Sequence, residues 1–112
     1  MIIKKGCNFE SEYEEGCLHV TLVGEIDHHS AVAVRSAIDE KLYTLRPKKM
    51  VMDLSKIDFM DSSGLGLIMG RYALMQKFGG DFSISEPSER VMRVFELSGL
   101  GRIIKIEKSK TN

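Results

Sequence analysis

The spacing of apolar residues in this 112-residue chain switches repeatedly from two to three-and-four and back, and this switching constrains the fold more than any other feature. Phe9, Ser11 and Tyr13 alternate with Glu10 and Glu12, Glu14-Glu15-Gly16 offers a turn, and Leu18, Val20 and Leu22 alternate with His19 and Thr21. That pattern predicts an antiparallel hairpin whose second strand closes at Gly24. Asp27 or Ser30 can cap a helix, on which Ala31, Val34, Ile38, Leu42 and Leu45 recur at helical steps until Pro47 stops them. Met50-Val51-Met52 is a continuous apolar run and suits a central strand covered on both faces. A loop is expected from Ser55 to Met60, then a second, largely buried helix over Leu65 to Phe78, apolar on most sides and stopped by Gly79-Gly80. Phe82 and Ile84 alternate with serines, Pro87 opens a third helix carrying Val91, Val94 and Phe95, and Gly99 ends it. Ile103, Ile104 and Ile106 suit a short last strand, and Lys108 to Asn112 reads as a polar tail.

The element order is therefore β, β, α, β, α, β, α, β. It predicts a single α/β domain over residues 1–112, a mixed sheet of about five strands with the helices mainly on one face and right-handed crossovers between parallel strands. Lys+Arg and Asp+Glu are both 16, so the chain lacks the basic excess on which phosphate-backbone binding depends, and nucleic acid is not an expected partner. No apolar run approaches the roughly 20 residues needed to span a membrane, and the first residues lack a secretory pattern, so a cytoplasmic location without membrane contact is expected. Cys7 and Cys17 are expected to be reduced thiols without metal chemistry, because no further Cys or His stands at zinc spacing.

The chemistry-bearing stretch is Phe59-Met60-Asp61-Ser62-Ser63-Gly64-Leu65-Gly66, between the central strand and the second helix. At a helix N-terminus the first N–H groups lack partners and the macrodipole is positive, so Asp61 or Ser62 can cap and a phosphate on Ser62 would be tolerated. Gly64, Gly66 and Gly70 each cost up to about 1 kcal/mol against alanine in a helix and so need a reason. Gly66 and Gly70, four apart, are expected to let the helix press against a neighbour, and Gly64 to leave the serines unobstructed; packing alone accounts about equally well for Gly70. Met60 suits either an adaptable contact or burial under the loop.

Enzyme motifs do not fit. Gly64-x-Gly66 followed by Gly70 is not the dinucleotide fingerprint, the Lys-Ser/Thr pair of a P-loop is absent, and so is the G-x-S-x-G elbow. The serines read as substrates of another protein rather than nucleophiles, no cofactor is implied, and the chain is not expected to be an enzyme. His28-His29 supply no i, i+4 ligand pair and read as surface or capping residues. Glu25 and Asp27 end a strand and open a helix, which places them on the same edge as Ser62.

Gly24-Glu25-Ile26-Asp27-His28-His29-Ser30, together with the serine stretch and Gly70-Arg71-Tyr72, closely resembles the bacterial anti-sigma factor antagonists of the STAS domain family over essentially the whole chain; Ser98-Gly99-Leu100 agrees as well. That resemblance implies a STAS-like fold and a partner-switching cycle. The unphosphorylated form binds an anti-sigma factor that is itself a serine kinase and carries the ATP or ADP, the sigma factor is released, and transcription of the sporulation type is favoured. Phosphorylation of the serine after the aspartate, here Ser62, ends the binding, and a separate serine phosphatase restores it. The resemblance assigns partner binding to Glu25, Asp27, His28, Asp61, Ser63, Gly64, Leu65 and Gly66. The added charge is expected to repel an acidic partner surface and fill space opposite Gly64 without refolding the domain. Two other readings stand beside it: a STAS scaffold subunit of a stress-signalling complex, and a small hydrolase using Ser62 or Ser63.

Overall fold

The computed structural model describes residues 6–108, so Met1 to Lys5 and the end of the expected polar tail, 109–112, lie outside the described residues. Strand β1 (Cys7–Glu14) turns through Gly16 into β2 (Cys17–Ile26); α1 (His28–Leu45), β3 (Lys49–Met60), α2 (Ser62–Lys77), β4 (Asp81–Ser85), α3 (Glu89–Ser98) and β5 (Lys105–Glu107) come after it, with a 3-10 turn over Leu100–Arg102. The strands form one five-stranded sheet in the order β1-β2-β3-β4-β5, antiparallel between β1 and β2 and parallel thereafter. The expected order, class and central place of the Met50–Met52 segment hold.

Register explains the packing. Leu18 stands beside Met50, Val20 beside Met52, and these beside Phe82 and Ile84, so one face of the sheet is a continuous apolar surface. Val34, Ile38 and Leu42 of α1, Leu67, Ile68 and Met75 of α2, and Val91 and Phe95 of α3 close over it in one buried cluster. The opposite face carries His19, Thr21, Asp53, Ser85 and Glu107, with His19 Nε2 3.8 Å from Asp53 Oδ2 and Ser83 donating to Glu107 at 2.9 Å.

Three local expectations are corrected. The loop expected from Ser55 to Met60 is strand: β3 runs on to Met60, and Leu54, Ile57 and Met60 turn inward at steps of three because the β2–β3 register shifts at Thr21/Val23 and again at Gly24/Glu25. Gly24 lies inside β2, where φ of +112° and the approach of the Gly6 carbonyl leave no room for a Cβ. The second helix starts at Ser62 rather than Leu65 and is buried along one side, with Ser62, Gly66, Ala73, Gln76 and Lys77 exposed. Arg46 ends α1 at φ +46°, and its guanidinium lies 4.1 Å from the Phe78 ring centroid, tying the end of α1 to the end of α2.

Both cysteines are free thiols at opposite ends of the hairpin, Cys7 beside Gly24 and Cys17 beside Glu14. Burial pushes the Cys7 thiol up to about 11. No helix among the described residues is long and apolar enough to cross a membrane.

Candidate functional site

Parallel strands β2 and β3 end side by side, and each feeds a helix, so the N-termini of α1 and α2 meet on one edge of the sheet. The Asp61 amide donates to the Ile26 carbonyl at 3.2 Å, and Glu25 pairs in register with Phe59. The expectation that Glu25, Asp27 and the serine loop share an edge is met by these contacts.

The first helix start is closed. Asp27 accepts from the Ser30 amide at 2.9 Å, the Ser30 hydroxyl receives the Asp27 amide at 2.9 Å, and that hydroxyl donates on to the Glu25 carbonyl at 3.0 Å. The backbone N–H of Ser30, helped by its hydroxyl and by His29, holds the Asp27 carboxyl below the ordinary carboxylate value. The second start is simpler: Asp61 accepts from the Ser63 amide at 2.8 Å, and Ser62 occupies the first helical position with its side chain in solvent.

The glycines divide differently from expectation. A Cβ on Gly64 would run into the Met60 side chain and press on Ile26, so Gly64 is a buried packing glycine and neither clears space for Ser62 nor offers a side of its own to a partner. Gly66 and Gly70 have nothing within 4 Å of a Cβ, so they press against no neighbour; they leave bare backbone on the face of α2 that Ser62 begins. Met60 is buried beneath the turn, the second of its two expected roles. Leu65 is half-buried against the core. His28 and His29 are exposed, with their rings 6.0 Å apart, and the described residues hold no group of three metal-ligating side chains.

Between α1 and α2 runs a groove of about 250 Å3, lined by His28, Val32, Arg35, Ser63, Gly66 and Leu67 among others. Deeper along the same seam Arg71, only 5% exposed, places Nε 2.9 Å from Asp39 Oδ1 as a charge contact outside hydrogen-bond geometry. Burial lowers the Arg71 pKa, and Asp39 opposes that shift. Val32, Arg35 and Asp39 were not legible as site residues in the sequence. The available signal was their place one position after, or one turn along from, the apolar Ala31–Val34–Ile38 stripe.

This arrangement offers an exposed hydroxyl between two capped helix starts. The STAS domain model matches residues 8–111. The chain belongs to the STAS domain family. Among curated STAS relatives, the anti-sigma F factor antagonist of Paenibacillus polymyxa is 39% identical over 92% of this chain and 88% of its own length, and the anti-sigma-B factor antagonist of Bacillus subtilis strain 168 is 35% identical over 88% and 89%. Among solved STAS structures, the anti-sigma factor antagonist SpoIIAA in its unphosphorylated form superposes with a TM-score of 0.80 at 29% identity, covering 92% of this chain and 89% of that one. The phosphorylated form of the Bacillus cell fate determinant SpoIIAA superposes with a TM-score of 0.74 at 28% identity, covering 92% of each chain. The resemblance seen in the motifs is thus confirmed at the level of family and fold.

Proposed function

We propose that this STAS protein is an anti-sigma factor antagonist whose unphosphorylated form binds an anti-sigma factor serine kinase, and whose phosphorylation on Ser62 ends that binding. The observation that carries the reading is the exposed Ser62 side chain at the first position of α2, beside a cap aspartate already committed to Ser63. The kinase supplies ATP or ADP, a separate serine phosphatase restores the hydroxyl, and this chain brings no cofactor of its own to a cytoplasmic cycle that favours sporulation-type transcription.

The physics of the switch is local. A kinase faces its substrate hydroxyl with a carboxylate base and nucleotide phosphates, an acidic surface. A phosphoryl group adds about −1.5 to −2 charge at that point, and the helix N-terminus tolerates it within the fold. Asp61 cannot swing away without giving up the Ser63 amide, so the added charge stays beside a fixed carboxylate and faces the partner. The neighbouring face has room, because Gly66 one turn on is bare. That SpoIIAA superposes on this chain in both its forms supports a change of surface rather than of fold.

The test is incubation of the chain with its anti-sigma factor kinase and ATP, followed by mass spectrometry of wild type and Ser62→Ala. Phosphate is expected on Ser62 alone, transfer is lost in the variant, and the variant still binds the kinase. Transfer to Ser63, or equal retention of modified and unmodified chain by the kinase, overturns the proposal.

A further inference from the structure

Resting on the reading above, we infer that Phe59 is the apolar anchor by which this protein docks on its kinase, from the face of the sheet opposite the helices. Beyond the second register shift Ile26 pairs with Met60, both buried inward, and Glu25 pairs with Phe59, both exposed, with Phe59 at 42%, so this last pair turns away from the core. Phe82 and Phe95 are buried and Phe9 and Phe78 half-buried, so Phe59 is the one phenylalanine among the described residues that is left to solvent.

Its position decides what can cover it. Three chain steps separate Phe59 from Ser62, at most about 11 Å. An interface of ordinary size covers about 800 Å2 per partner, a disc of about 16 Å radius, so a kinase centred on Ser62 that wraps over this edge of the sheet has the reach to cover Phe59. Within such a footprint a single aromatic set in a pocket, ringed by polar groups, carries a disproportionate share of affinity. Glu25, exposed and paired in register with Phe59, supplies a polar group at the pocket's rim and fits a basic side chain there. The other exposed apolar residue near the serine, Val32 at 48%, lies on α1 across the groove, so the two flank Ser62 from opposite faces. The occupant is thus the same kinase, gripping the edge from both sides, with an apolar pocket for Phe59 bordered by Lys or Arg.

The experiment titrates purified anti-sigma factor kinase with ADP against unphosphorylated wild type, Phe59→Ala, Phe59→Leu and the control Leu97→Ala, whose side chain is 90% exposed at the end of α3. Phe59→Ala is expected to weaken binding about tenfold or more, Phe59→Leu by less, and Leu97→Ala not at all. The weakening at Phe59 should persist at high salt, since the contact is apolar. Should Phe59→Ala fold poorly, Phe59→Leu alone still reads the effect. Binding of Phe59→Ala at wild-type strength overturns the anchor and leaves the Ser62 switch standing, and so does a change in self-association without a change in kinase affinity. Failure of the wild type itself to bind overturns both.

Discussion

The starts of α1 and α2 have the same ingredients, an aspartate cap and a serine within the first turn, yet they use them differently. In α1 the serine is Ser30, buried, with its hydroxyl shared between the Asp27 amide and the Glu25 carbonyl. In α2 the aspartate holds a backbone amide and nothing in the two cap networks engages Ser62. A hydroxyl that closes a capping box is structure and is out of reach of a kinase; one displayed on the first turn can be modified without unfolding anything. Under the proposed switch, the contrast teaches that a phosphate acceptor is defined less by the serine than by its neighbours having satisfied the helix end already.

The sharpest way to break that contrast is at the glycines. Gly64→Ala places a Cβ against Met60 and is expected to destabilise the fold by about 1–3 kcal/mol, with the damage centred beneath the serines. Gly66→Ala meets nothing within 4 Å and should stabilise α2 by up to about 1 kcal/mol. Urea unfolding of the two variants checks the opposite signs. If both destabilise, the face of α2 around Gly66 is not bare.

The same glycines show what a sequence can and cannot disclose. Element order, the hairpin and the shared edge of Asp27 and Ser62 came from periodicity and cap chemistry, which act within a few residues. Which glycine faces the core depended on Met60 folding back under the turn, and nothing in the letters of Asp61-Ser62-Ser63-Gly64 records that. The upper half of β3 is illegible in the sequence for a related reason. Two register shifts against β2 turn Leu54, Ile57 and Met60 inward every third residue, so the strand does not alternate and reads as loop. Arg71 and Asp39 are distant in sequence and meet only because both helices cover the same sheet face.

A smaller effect separates the two serines by stability alone. Ser30→Ala removes both the acceptor for the Asp27 amide and the donor to Glu25, and a cost of about 1–2 kcal/mol is expected. Ser62→Ala should change stability by no more than a few tenths of a kcal/mol, well within what surface substitutions do. Thermal unfolding of both, run beside the phosphorylation assay, sharpens the comparison. Ser30→Ala is expected to loosen the Glu25–His28 segment and so weaken kinase binding while leaving Ser62 a phosphate acceptor; Ser62→Ala does the reverse.

The smallest expected effect is a dependence on acid. The Ser30 amide, with lesser help from its hydroxyl and from His29, lowers the Asp27 pKa in the folded chain below its ordinary 3.8. A carboxyl whose pKa is depressed on folding contributes stability that is fully present above the unfolded value and is lost as pH falls through the lowered folded one. Asp27→Asn keeps an oxygen able to accept from Ser30 but does not titrate, so its stability curve should lie below that of wild type at neutral pH and converge with it only below 3.8. Guanidinium unfolding of the pair across that range reads the convergence directly. A constant gap at every pH would mean that the Asp27 charge contributes nothing to the closed cap, and the difference between the two helix starts would then rest on the Ser30 hydroxyl alone.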